Sequence, residues 1–560
     1  MPVSIIRLKF IIVLFLLVVQ AGPLSAQGPA GALSAAGWQK DLSWLVQKLE
    51  DTHPEPFRAI SKPAFGQKVD LLRNDIPHLR PNQIAARMMQ VVASLNDGHT
   101  SLEPAGFNRW FPLRCYRFRD GLFITAIQRE YQKYAGSRVV KFGNVDPDTA
   151  LALCASLKGS NNRFGALENS VLYLSNADLL QALGITDDPD NLTLRVARPD
   201  GESETIRLSA QTIGGQTNWM QWGEMYGPVP DLSTFFGARV SGDYRKGDKD
   251  LPLHLRMRLP YWFQYLPESK TVYFQFNFVE KQWKGTTFQQ FRQGLFSFID
   301  SNDVRKFVID LRYNSGGDGS LLDPFLHEII RRDNINQKGR LFVLVGRKTF
   351  SAAVLLLGSL KRHTNASFAG EPAGAPLNHD GDPESYILPA SKFVLNVSTV
   401  FHQAGDPKDK SLFFPVDFPC QFTSHDYFSG ADPALDLVTK TDPVTVCDMF
   451  LRNSGEAMAA YAHAADLKKE YSWFTPFTEE EMNRTGYRLV EQGRIKDAIQ
   501  AFLLNAETFP GSWNVWDSLA EAYMTDGNNE LAAQYYRKSL ELNPGNENAR
   551  NNLEKLKHPK

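Results

Sequence analysis

Lys306-Phe307-Val308-Ile309-Asp310-Leu311-Arg312-Tyr313-Asn314-Ser315-Gly316-Gly317 is a short apolar run that ends in a polar turn with two glycines. A run this short and aliphatic reads as a strand buried on both faces. The segments around it repeat the pattern. Strand-like stretches Val272 to Asn277, Lys306 to Leu311 and Leu341 to Val345 alternate with helical stretches Phe288 to Ile299, Ser320 to Arg331 and Ala352 to Arg362. Such alternation predicts βαβ units, and therefore an α/β core with a partly parallel sheet, spanning 216–445.

On the N-terminal side, Leu42, Leu45, Val46 and Leu49 recur on one helical face, and further helices are expected around Phe65 to Leu72 and after Pro81. These make a helical unit over 27–107 that ends in Asp97-Gly98-His99-Thr100. From 108 to 215 short apolar runs punctuated by turn residues predict a strand-rich insert with one helix near Asp148 to Leu157. Residues 216 to 250, rich in Gly, Trp and charge, read as a loop-rich connection. On the C-terminal side, 446–475 reads as a linker. In 476–560, Gly493 and Gly527, Ala498 and Ala532, and Pro510 and Pro544 recur 34 positions apart, the period of the tetratricopeptide repeat.

The chain has 560 residues, enough for about three to four folded units. Lys+Arg 61 against Asp+Glu 62 leaves a net charge of -1, which gives no bulk attraction to nucleic acid or anionic membrane. Arg7 and Lys9, an aliphatic run from Phe10 to Gln20, and small residues to Ala26 read as a cleavable export signal over 1–26. An uncleaved anchor would need about 20 apolar residues, more than this run supplies. No later stretch reads as a membrane span, so the expected location is periplasmic or extracellular. Cys115, Cys154, Cys420 and Cys447 are widely spaced, either buried apolar residues or one or two bridges.

Two junctions carry chemistry. Gly316 and Gly317 allow backbone N–H groups to approach a ligand just before a helix opens, which suits an oxyanion or a phosphate. No GxxxxGK[ST] supports the phosphate. Ser351, in Gly346-Arg347-Lys348-Thr349-Phe350-Ser351-Ala352-Ala353, falls at the next strand-to-helix turn. By itself it reads as a helix cap; the same position would also expose a nucleophile. His327-Glu328 lacks the second histidine of HExxH, and Asp380-Gly381-Asp382-Pro383-Glu384 reads as an exposed turn rather than a calcium loop.

Taken in order, the signal-like start, Asp97-Gly98-His99-Thr100, IDLRYNSGG at 309–317, TFSAA at 349–353 and Gly370-Glu371-Pro372-Ala373-Gly374 resemble the tail-specific, or C-terminal-processing, protease family of serine peptidases. The likeness spans about 40–440 and is strongest over 270–435. It implies a crotonase-like α/β core in which Ser351 attacks a peptide carbonyl, with oxyanion donors at Ala352 and at Gly316 or Gly317. One branch of the family uses a lysine base; Gly370 to Asn378 contains none. The branch that resembles the tricorn core protease and the retinoid-binding relatives uses a histidine from the N-terminal unit, which maps onto His99. His379, His402 and His425 lie in segments where the family has no catalytic histidine. The third member would be Asp409, or else Asp406; Gly98 stands where that branch has a serine. The insert occupies the place where many relatives carry a PDZ domain, without a clear carboxylate-binding loop.

The resemblance thus implies an exported peptidase acting on peptides or proteins without cofactor or metal. The alternatives are a catalytically silent relative that binds an apolar ligand, or an adaptor whose repeats at 476–560 capture a protein partner.

Overall fold

The computed structural model describes residues 33–212, 225–226, 251–257 and 259–557. The expected export signal, and all of the expected connection at 216–250 except 225–226, lie outside the described residues.

Six strands form the central sheet in the spatial order β1 (Tyr261–Leu266), β2 (Thr271–Phe276), β3 (Lys306–Asp310), β4 (Leu341–Val345), β5 (Ser367–Gly370) and β6 (Phe418–Pro419). Strands β1 and β2 pair antiparallel and all later neighbours pair parallel. Every residue of β2, β3, β4 and β5 is buried, because helices cover both faces. Val272, Phe274, Phe276, Phe307, Ile309 and Val343 point to α1 (Phe288–Ser301), α2 (Leu322–Ile330) and α3 (Ala352–His363). The intervening Tyr273, Val308, Phe342 and Leu344 meet α4 (Pro433–Lys440) through Ala434, Leu435 and Val438. The period of two along each strand therefore serves two separate apolar layers. The fold class is α/β, as the alternation predicts.

The three N-terminal helices, Ala35–Thr52, Lys62–Asp75 and Pro81–Ala93, form as expected. Their apolar faces and the insert's inner face share one cluster, from Trp38 and Leu42 through Met88 to Phe142 and Leu194. The insert carries a sheet built from Leu113–Phe118, Gly121–Gln128, Arg138–Phe142, Asn191–Ala197 and Ser203–Ser209. It also holds three helices rather than one: Pro147–Ala155, Arg163–Tyr173 and Ala177–Ala182. The two extra helices are short, and each starts at an asparagine whose side chain accepts backbone N–H groups, Asn162 and Asn176. Such caps resemble loop residues in a one-dimensional reading.

Residues 446–475 are not a linker. Helices Val446–Arg452 and Ser454–Glu470 occupy them, and Val446, Phe450 and Ala457 are buried with Met482, Leu489, Phe502 and Leu519 of the tail. The tail itself is five helices from Glu479–Glu491 to Glu547–Lys557. It touches the core through Lys361 at the end of α3, 3.4 Å from Glu481, and Trp473 packs edge-on against Phe164 of the insert at 5.7 Å. Among the described residues no helix is long and apolar enough to cross a membrane. All four cysteines are free.

Candidate active site

Strands β3 and β4 run parallel, so their C-terminal ends open side by side onto the two junctions. Beyond β3, the Asn314 side chain accepts from Gly316 N–H at 2.8 Å and donates to the Phe276 carbonyl, while its own carbonyl accepts from Phe350 N–H at 3.0 Å. One asparagine thereby pins the glycine turn to the residue before Ser351. Gly316 and Gly317 have φ of 106° and 133°, open to glycine and strained for other residues. At Gly316 the need is also spatial: a Cβ there would stand 2.6 Å from Ser351 Cβ and 3.1 Å from Ala352 N.

Ser351 sits at the N-terminal end of α3 with φ 52° and ψ -129°, and its side chain caps nothing. The helix-cap role is therefore not the one its hydroxyl plays. A non-glycine residue in such a conformation stores roughly 1–3 kcal/mol of strain, held by the surrounding fold. Ala352 N–H, the first of the helix, and Gly317 N–H make no hydrogen bond among the described residues, whereas Gly316 N–H is consumed by Asn314. Of the three expected oxyanion donors, then, two remain open and Gly316 is removed from the set; it supplies room instead.

His99 is brought to the same place from 252 positions away. The strand that follows it, Ser101–Glu103, pairs antiparallel with Val394–Val397. Asp97 anchors the loop: Oδ1 accepts from His99 N–H at 3.0 Å, and Oδ2 accepts from Ser398 Oγ at 2.6 Å and lies 3.3 Å from His53 Nε2. Glu55 N–H donates to His53 Nδ1, so the His53 proton is on Nε2 and points at Asp97. Burial would raise the Asp97 pKa, but His53, His99, Ser398 and Thr100 outweigh it and hold it at about 2. The insert contributes Asn161, which reaches Gly98 N–H and the Asn96 carbonyl, and Asn162, which donates to the carbonyls of Ala373 and Leu412. This one loop ties the histidine to the core.

The His99 ring lies on Phe350, with 4.3 Å between centroids, and both its nitrogens are shut off from solvent without a partner. Burial, countered by Asp97 and reinforced by His379, Lys158 and His402, pushes its pKa down to about 3. It is neutral at pH 7. No hydrogen bond joins it to the Ser351 hydroxyl in this structure; the two are neighbours through Phe350. Asp406 and Asp409 stand apart from this: their carboxylates accept from Lys408 N–H and Ser411 N–H within their own exposed loop. No acidic partner from that loop reaches His99 among the described hydrogen bonds. His425 is exposed on a short helix.

Where the insert meets the core, a cavity of about 40 Å³ is lined by Tyr116, Glu168, Arg312, Arg347, Lys348 and Glu371, among others, and not by Ser351. It has room for a few waters only. Arg347 lies 3.4 Å from Glu371 and over the Tyr116 ring, so the cavity is a buried ionic seam between insert and core. Burial, against the pull of Glu168, lowers Lys348 to about 7. Sequence reading missed Asp97, Asn161, Asn162, Asn314 and Phe350. Asp97, two residues before His99, was the most accessible of them; the asparagines carry no signal apart from their loop setting. Asp380, in the expected exposed turn, is in fact buried and paired with Arg58. Among the described residues no group of three or more His, Cys, Asp or Glu is arranged to hold a metal.

Residues 513–546 match the tetratricopeptide repeat family. No curated protein matches the chain. Among solved structures, a serine-to-alanine variant of CPAF is similar at 12% identity and TM-score 0.51, covering 72% of this chain and 97% of that one. Mature CPAF is similar at 12% identity and TM-score 0.50, covering 73% and 96%. A photosystem II D1 C-terminal processing protease is matched at 15% identity over 68% and 93%, with a TM-score of only 0.32. The chain therefore has an α/β fold shared with mature CPAF, and it carries a tetratricopeptide repeat in its C-terminal helices.

Proposed function

We propose that the protein is an exported serine peptidase that forms an acyl-enzyme on Ser351, with His99 as general base. The observation that carries this is Ser351 itself: a strained, uncapped hydroxyl at a strand-to-helix turn, beside Gly316 and the open N–H of Ala352. As Oγ bonds to the scissile carbonyl carbon, negative charge develops on the carbonyl oxygen, where Ala352 and Gly317 N–H groups and the start of α3 would stabilise it. His99 takes the hydroxyl proton and returns it to the leaving amine. For this its ring must leave the stack on Phe350, an adjustment common to apo sites. Substrates are peptides or proteins, and the helices at 476–560 would recruit a protein partner.

The test is covalent labelling. A fluorophosphonate should label the wild type and not Ser351→Ala, and peptide hydrolysis should vanish with it. The stack of His99 on Phe350 favours the second reading, a silent relative whose cleft binds an apolar ligand. A wild type that takes no label at any pH while binding a fatty-acyl probe establishes that reading instead.

A further inference from the structure

His99 belongs to a cluster of rings, with the centroids of Phe350 and His379 also 6.4 Å from each other. Phe350 covers one side, and His379 stands 5.8 Å away on centroids with its plane within 8° of parallel. His379 is followed by His402, again at 5.8 Å, whose Nε2 is 3.4 Å from Asp382 Oδ1. Backbone pairing places the last two: His379 and His402 are register partners in the antiparallel ladder of Asn378–Gly381 with Val400–Gln403.

The tautomer of His379 follows from its neighbour. Nδ1 lies 2.9 Å from the carbonyl oxygen of Pro376, which can only accept, so Nδ1 carries the proton and Nε2 keeps a lone pair. That Nε2 is buried without a partner, and so are both nitrogens of His99. A donor and an acceptor that both lack partners therefore lie in adjacent, nearly parallel rings. Leaving them unpaired inside a protein is costly, and pairing them would remove the cost. Asp97 is not the ring partner of His99: its oxygens take the His99 backbone N–H, His53 and Ser398, and neither His99 ring nitrogen reaches it.

We propose that His379 is the positioning residue for His99, in the role expected of Asp409 or Asp406: its Nε2 accepts the N–H of one His99 nitrogen and leaves the other nitrogen's lone pair to the Ser351 hydroxyl. This rests on the peptidase reading. In the reaction the Ser351 proton moves to His99 as the Oγ–carbon bond forms, then to the amine as the carbon–nitrogen bond breaks. His379 keeps its own proton on Nδ1, held by Pro376, so no charge is stored on it. The other ionisable groups that act on His99 include Asp97, Lys158, His402 and Asp382, and those that act on His379 include His402, Asp97 and Asp382.

Two readouts separate the possible failures. The first is fluorophosphonate labelling of wild type, His379→Ala and His379→Gln across pH 5–9. Loss of the orienting acceptor should slow labelling about 100-fold, and His379→Gln, whose amide oxygen can still accept, should recover much of it. The second does not need activity: the ¹⁵N-histidine NMR spectrum at pH 7, where both rings are neutral, recorded for wild type and His99→Phe, with His379→Gln for assignment. If His379 accepts the His99 N–H, the resonance of its unprotonated Nε2 lies upfield in the wild type and moves downfield in His99→Phe, where the donor is gone. A His379 Nε2 resonance that is the same in both overturns the proposal, as does unslowed labelling in His379→Ala. If nothing is labelled but the resonance moves, the pair stands and the peptidase reading fails.

Discussion

At the scale of single residues, the site depends on close backbone approach more than on side-chain contacts. Gly316→Ala would drive a methyl group to within 2.6 Å of Ser351 Cβ at a φ of 106°. We expect it to abolish detectable fluorophosphonate labelling while the far-UV circular dichroism stays that of the wild type; labelling within threefold of wild type would show that the junction is looser than described. Asp97→Ala acts differently. It strands the His53 N–H, the Ser398 hydroxyl and the His99 N–H in the interior, which should cost about 2–4 kcal/mol in urea unfolding. Its labelling rate should fall as well, since the loop that aims His99 loses its anchor. IDLRYNSGG and TFSAA made the two junctions legible, because apolar strands and glycines have local causes. The histidine's partner was not legible: Asp409 and Asp406 are closer to Ser351 in sequence than His99 is, yet they only cap turns of their own loop.

Among the elements, the helices at Val446–Arg452 and Ser454–Glu470 changed most between expectation and structure. The first helix is only two turns long, and the second is mostly alanine and polar residues without a clear apolar stripe, so a one-dimensional reading finds a linker. What makes them helices is the partner surface supplied by the repeat tail, where Phe450 is fully buried. Phe450→Ala should therefore destabilise the tail by about 3–5 kcal/mol, by lost transfer energy and an unfilled cavity. The expected sign is an early thermal transition in scanning calorimetry, with Ser351 labelling retained at temperatures below it. A single unshifted transition would mean that these helices do not depend on the tail. The repeats themselves were legible because a 34-residue period survives in sequence even where individual positions vary.

For the whole molecule, buried neutral histidines set a pH dependence. Burial, against the pull of Asp432, lowers His254 to about 4; burial, with His402, does the same to His379; and His99 is near 3. Folded-state values below the unfolded value of about 6.5 mean that the unfolded chain binds protons first as pH falls. This stability is complete above about pH 6.5 and is lost progressively towards pH 3. Asp417, raised by burial to about 6, works in the opposite sense, leaving a net uptake of roughly two protons on unfolding near pH 5. The urea midpoint should fall steadily from pH 7 to pH 4.5, and a flat profile would contradict neutral burial of these rings. By itself the sequence determined the βαβ alternation, the repeat period, the two glycine-rich junctions and the serine, because each is written in residues close together in the chain. Tertiary structure alone decided which histidine meets which ring, that Asp97 is an anchor, that Gly316 gives room rather than a donor, and that Val446–Arg452 and Ser454–Glu470 are helices. Those outcomes come from packing between segments up to hundreds of residues apart, and the free energy of such packing has no local trace.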